Sequence, residues 1–217
     1  MDVVERYDVK NPRLASLFLA RCMASSGREL SVNKVYNEFK SRQISVSRNT
    51  LSDLLEYYED AYLLFSVPEF TRSLANNTRS ASKVYAVDPA MFGAFSPASA
   101  LDHGQRLETA GFNALRRRTP AVRPGSVCRL LIKDNNKSHE VDFVAGDALL
   151  MQAYGLIQVS VDMTSEKTRE REIAALDAAM AQFDLGESVI VTMDEQADIP
   201  CKHGVVHAVP AWKWLLS

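Results

Sequence analysis

Four residues in the second half of the chain have types and spacing that could serve phosphodiester chemistry: Glu108, Asp142, Gln158 and Ser160. Carboxylate and carbonyl oxygens hold a hard divalent cation such as Mg2+ or Mn2+. A bound cation of that kind lowers the pKa of its water and clamps phosphate oxygens. Asp142 and Gln158 are the candidate metal ligands, the second only through a neutral carbonyl. Gln158 and Ser160 are two apart on a predicted strand, so they face the same way. Plainer roles stand beside these. Asp142 could be a strand-edge carboxylate, Glu108 an exposed acid favoured by a helix dipole, and Gln158 and Ser160 partners for hydrogen bonds inside a sheet.

The elements that must position these residues read as α/β. A helix is expected over 105–118, ending in Arg116-Arg117-Arg118, where cations favour a helix C-terminus. Strands follow at 128–133, 140–145 and 155–161, with a turn at 134–136. A helix over 166–183 directs Ile173, Leu176, Met180 and Phe183 inward, and strands at 188–193 and near 205–209 finish a mixed sheet. The small, proline-containing stretch 94–100 reads as a linker. Before it, three capped helices are expected, over 11–24, after Ser31 and after Ser47, with a short β-like run at 43–46. Strand-like stretches at 61–67 and 83–88 flank a polar loop, 72–82. Three helices and a long-tipped hairpin are the plan of a winged helix-turn-helix, with the third helix as the reading helix and the loop as the wing. The expected division is a winged-helix domain over 1–93 and an α/β domain over 101–217.

Helix, three strands, helix, two strands, with one acid on the first helix and an aspartate on the second strand, resembles the PD-(D/E)XK, restriction-endonuclease-like fold. In active members, Gln158 would be a glutamate and Ser160 a lysine that polarises the attacking water and stabilises charge on the phosphate. Ser160 cannot replace an ammonium, and the nearest later lysine, Lys167, lies on the following helix. Further stretches carry a closer resemblance: Lys83-Val-Tyr-Ala-Val-Asp88, Glu140-Val-Asp-Phe-Val144, Leu156-Ile-Gln-Val-Ser160, Thr168-Arg-Glu-Arg-Glu172 and Val209-Pro-Ala-Trp-Lys-Trp-Leu-Leu216. They are similar to the domain-of-unknown-function family 4143, which forms the C-terminal region of many bacterial and archaeal AAA+ ATPases, and the first half resembles the winged-helix segment of the same proteins. The resemblance implies an ATPase module as partner, in the same or another chain. This chain has no Gly-x-x-x-x-Gly-Lys-[Ser/Thr] loop of its own to cradle phosphates.

Composition limits the partners. The 217 residues carry 25 Lys and Arg against 27 Asp and Glu, a formal net charge of −2, which is no footprint for gripping a phosphate backbone. DNA contact therefore falls to local residues: Arg48 and Asn49 on the third helix, Arg72 and Arg79 in the wing, and Arg116, Arg117 and Arg118. The same third helix carries Asp53, Glu56, Glu59 and Asp60, which repel phosphates. Cys22, Cys128 and Cys201 are scattered and indicate neither disulfides nor zinc. The four histidines show no metal or dyad spacing, and Trp212 and Trp214 read as a docking tail. The charged N-terminal residues and the lack of a long apolar run suggest a cytoplasmic chain without membrane contact. Three functions stay open: an ATPase accessory region that binds DNA or protein without cleaving it, a metal-dependent DNA nuclease with an unorthodox site of Glu108, Asp142 and Gln158, and a pure protein-interaction module.

Overall fold

The computed structural model describes residues 3–73, 81–91, 95, 102–118, 126–134 and 137–217. The first half opens with α1 (Val3–Arg6) and α2 (Pro12–Met23). The Asn11 side chain accepts the Leu14 N–H at 3.1 Å, and Pro12 occupies the first turn, where it has no hydrogen bond to lose. Ser31 and Ser47 cap α3 (Val32–Ser41) and α4 (Arg48–Asp60) in the same way. Phe18, Phe39, Leu51 and Tyr58 form the centre of this half, and the Tyr58 hydroxyl donates to the Ala15 carbonyl at 2.6 Å. Each such side chain, buried, contributes on the order of 1.5–3 kcal/mol.

Two sequence expectations fail here for local backbone reasons. The run 43–46 is not a strand, because Gln43 adopts φ +60° and the Ile44 N–H closes back on the Phe39 carbonyl at 2.9 Å. Tyr62, at φ +56°, ends α4 in a similar turn, so the strand expected from residue 61 starts at Leu64. Strands β1 (Arg28–Glu29), β2 (Leu64–Val67) and β3 (Lys83–Ala86) form an antiparallel sheet in the order β1-β3-β2.

The second half runs α5 (His103–Arg118), β4 (Val127–Asp134), β5 (Lys137–Asp147), β6 (Gln152–Val159), α6 (Glu166–Phe183), β7 (Glu187–Thr192), β8 (Ala197–Pro200), β9 (Val205–Pro210) and α7 (Ala211–Leu216). Its sheet has the order β4-β5-β6-β7-β9-β8. The first three strands are an antiparallel meander, α6 crosses from β6 to its parallel neighbour β7, and β9 is parallel to β7. Neighbouring residues send their side chains to opposite faces. Leu156 and Ile190 pack with Leu176, Ala179 and Met180 of α6, whereas Ile157 and Val191 pack with Phe112 and Leu115 of α5 and Trp214 of α7. Strand β8 is a sixth strand where five were expected, and the terminal segment read as a docking tail is a helix with Trp214 buried.

The two halves share a core. Val67 and Tyr85 from the small sheet cluster with Leu107, Phe112, Phe143 and Trp214 from the large one. Phe70 crosses further and meets Phe183 of α6 edge-on at 5.4 Å. Residues 68–70 run along β4, with Arg129 N–H donating to the Pro68 carbonyl (2.9 Å) and Phe70 N–H to the Arg129 carbonyl (2.7 Å). Ser26 and Thr109 hydroxyls meet at 3.0 Å, and Asn113 donates to the carbonyls of Ala86 and Val87. The expected linker, 94–100, lies outside the described residues except for Phe95, which packs on the first core.

Candidate functional site

The site grows from the start of β3. Lys83 is hydrogen-bonded into the sheet opposite Val67 on one side and Glu29 on the other. Strand alternation puts Lys83 and Tyr85 on one face, and both reach Glu108, on the second turn of α5. The Lys83 ammonium is 3.1 Å from Glu108 Oε1, 3.1 Å from Asp142 Oδ1 and 2.7 Å from Glu140 Oε1. All three contacts are ion pairs, and those to Glu108 and Asp142 are also hydrogen bonds donated by the ammonium. Tyr85 donates its hydroxyl to the same Glu108 oxygen at 2.7 Å. Asp142 uses its other oxygen to accept the Val159 N–H at 3.0 Å, across the β5–β6 pairing.

Gln158, beside Asp142, is held at both ends. Its carbonyl oxygen accepts the Asp142 N–H at 3.1 Å, and its amide nitrogen donates to Glu172 Oε2 at 2.7 Å. Glu172, a buried acid on α6, is paired in turn with the exposed Arg171. Lys83, Glu108, Glu140, Asp142, Gln158 and Glu172 line a cavity of about 390 Å³. Ser160 follows the last residue of β6, donates its N–H to the Val191 carbonyl and its hydroxyl to the Asp162 carbonyl, and so closes the turn that leaves the strand. It lines a neighbouring open groove with His103, Asp162 and Arg171.

The electrostatics follow from one ammonium among three carboxylates, of which Asp142 and Glu108 are largely buried and Glu140 is 40% exposed. Burial and the Glu108 charge push the Asp142 carboxyl up to about 7, although Lys83 and the Val159 N–H pull the other way. Burial by itself would lower the Lys83 pKa, but the charges of Asp142, Glu108 and Glu140 outweigh it and hold the ammonium above its usual range. The Tyr85 hydroxyl is pushed well above its ordinary value by burial and by Glu108, so it stays a donor.

These residues, as they stand, do not fit Mg2+ or Mn2+. A magnesium ion needs oxygens at about 2.0–2.1 Å, but the carboxylates surround the Lys83 nitrogen at hydrogen-bond distances of 2.7–3.1 Å. The Gln158 carbonyl is already engaged. Among the described residues, no group of three His, Cys, Asp or Glu side chains could hold a metal ion.

The structure thus brings Glu108, Asp142 and Gln158 together and leaves Ser160 beside them. Lys83, Tyr85, Glu140 and Glu172 were not singled out as site residues by sequence reasoning. The period-two spacing of Glu140 with Asp142, and of Lys83 with Tyr85, was the available signal. Lys167 is exposed on α6 and does not line the cavity. Of the described basic residues expected to touch DNA, Arg48, Arg72, Arg116 and Arg118 each have neighbours of their own. Arg48 and Asn49 are exposed at the start of α4, with the Arg48 guanidinium 4.8 Å from the Tyr36 ring. Arg72 donates to the Leu150 carbonyl, and Arg79 lies outside the described residues. Arg116 lies 3.8 Å from the Phe65 ring centre, and Arg118 lies over Trp214 and donates to its carbonyl, which leaves Arg117 the exposed member without such a ring contact. No helix among the described residues is long and apolar enough to cross a membrane.

A family model described as a domain of unknown function, DUF8612, matches residues 1–102. The Methanocaldococcus jannaschii protein named "Uncharacterized protein MJ1544" is 31% identical over 222 residues, a match that covers all of this chain and 47% of that protein. The chain therefore spans about half the length of the curated relative it matches. No solved structure matches it.

Proposed function

We propose that the chain is an accessory region of an AAA+-type ATPase, a winged-helix module joined to a nuclease-like module whose site does not cut. The observation that carries this is the state of Gln158 and Ser160. At the positions where cleavage would need an acid and a lysine, one side chain is locked between Asp142 and Glu172 and the other closes a turn. Loss of a charge-stabilising group in such a site removes orders of magnitude in rate. The helix, three-strand meander, crossover helix and parallel strand support the restriction-endonuclease-like reading, and α2 to α4 with the β1-β3-β2 sheet support the winged helix. In the Methanocaldococcus protein about half the sequence lies outside the match, which leaves room for a further module on the same polypeptide.

The partner this surface favours is protein. Asp53, Glu56 and Asp60 are exposed on α4, and two of the three clustered arginines are held against aromatic rings. A second reading, DNA contact, rests on the exposed pair Arg48 and Asn49 at the start of that helix.

The test is incubation of labelled single-stranded, duplex and branched DNA with Mg2+ or Mn2+, beside Asp142→Ala. Intact DNA throughout is expected. Metal-dependent cutting that disappears in the variant overturns the proposal. In the same samples, a DNA affinity that falls steeply with salt decides for DNA over protein as partner.

A further inference from the structure

The misfit of the site to a divalent metal has a specific cause, the side chain of Lys83. We propose that Lys83 is a tethered cation: its ammonium, delivered from β3 of the first half, fills the place among Glu108, Glu140 and Asp142 that a divalent cation would take, and thereby keeps the site metal-free. The inference deepens the nuclease-like reading of the site and rests on it.

Three observations carry it. First, the nitrogen is at the focus of the site, within 3.1 Å of carboxylate oxygens from two different elements, α5 and β5. Second, this cation does not come from the sheet that holds the acids. It arrives on a strand of the other sheet, 59 residues before Asp142 and 25 before Glu108. Third, its approach is built rather than incidental. Lys83 is 8% exposed, Tyr85 from the same face of β3 anchors the Glu108 oxygen it uses, and Val67 beside it belongs to the core common to both halves.

A tethered ammonium competes at a high effective concentration, so a free ion must displace a group that cannot diffuse away. It also carries one charge among three carboxylates, so the acids are under-neutralised, the condition in which a divalent ion binds once the lysine is gone. The oxygens would have to close by about 0.6–1 Å to reach magnesium-like distances. Glu140, whose side chain is 40% exposed, has the freedom to do so.

The test is Mn2+ alone, followed by the loss of its free-ion electron paramagnetic resonance signal and by the Mn2+-dependent rise in Tm. It is applied to the wild type, Lys83→Ala, Lys83→Met, Lys83→Ala/Asp142→Asn and Asp142→Asn. The wild type is expected to take up no Mn2+ at millimolar concentration. Lys83→Ala should bind one ion at least about tenfold more tightly, and the double variant should lose it again. Lys83→Met, which keeps the apolar stem, is the second variant if alanine fails to fold. A folded Lys83 variant that takes up no Mn2+ overturns the proposal. So does a wild type that binds one Mn2+ and loses it in Asp142→Asn, an outcome that needs no Lys83 variant. Cleavage is not read here, so DNA cutting by the wild type would defeat the non-cleaving function while these binding results still judge Lys83.

Discussion

Lys83→Met should destabilise the folded chain by about 3–5 kcal/mol at pH 7, the range for removing one partner of a buried ion pair and leaving the other charged. Methionine keeps most of the stem that packs at the junction, so the loss is electrostatic rather than a cavity. Asp142 and Glu108 dominate the effect, with side chains 10% and 17% exposed. Glu140, at 40%, is screened by water and adds little. With a urea m-value of ~2–3 kcal/mol/M, the unfolding midpoint should fall by about 1–2 M with the slope unchanged. The penalty must also depend on pH. Lys83 holds the Asp142 pKa below where burial and Glu108 would otherwise put it, so without the ammonium that pKa rises above about 7, and the variant's deficit should widen as pH rises from 7 to 9 and stay nearly constant from pH 7 down to pH 5. Lys83→Met/Asp142→Asn should recover part of it at pH 7. A midpoint within ~0.3 M of the wild type at pH 7, where ~1–2 M is expected, would refute the argument that these carboxylates depend on one internal cation.

Three other outcomes follow from the same geometry. Asp142 has a folded-state pKa raised from 3.8 to about 7, so its contribution to folding is present below pH 3.8 and is lost as pH rises to 7. The stability of Asp142→Asn relative to the wild type should therefore increase between pH 4 and pH 8 in urea titrations, and a flat difference contradicts it. Gln158→Glu replaces the amide donor to Glu172 with a second carboxylate at 2.7 Å. A cost of about 2–4 kcal/mol at pH 8 that shrinks at pH 5 is expected, with no gain of Mn2+ binding while Lys83 is present. Phe70→Ala empties a site that is 3% exposed in the core of the second half, and should cost about 3–5 kcal/mol by chemical denaturation, with both halves still unfolding in one transition.

The sequence was most informative where the cause of structure is local. Pro12, Ser31 and Ser47 announced α2, α3 and α4 because a first-turn proline and an N-cap both act within a few residues. The apolar runs of β5, β6, β7 and β9 were readable as strands for the same reason. Strand β1 has two residues and no period to detect. Strand β8, the four residues Ala-Asp-Ile-Pro, looks like a turn and becomes a strand only because β9 pairs with it. In the site, the pattern of element order and acids placed Glu108, Asp142 and Gln158 in one cluster. It could not supply Lys83, whose partners are distant in the chain and whose burial depends on how the two sheets meet. The same limit explains Arg116 and Arg118. Consecutive arginines suggest a basic patch, but Phe65 and Trp214, the rings that hold them, come from β2 and the last helix, both distant in the chain from α5.

The pairing of residues 68–70 along β4 also bears on how the molecule can be divided. A sheet ends in strands whose free N–H and C=O groups invite a stranger's backbone. Here one border is covered by the chain's own earlier segment, and the other is the short β8, which ends in Pro200. A fragment beginning after residue 100 would expose the β4 border and leave the slot of Phe70 beside Phe183 unfilled. Such a fragment should polymerise edge to edge, so the large sheet is insulated from its own copies only as long as the first half travels with it.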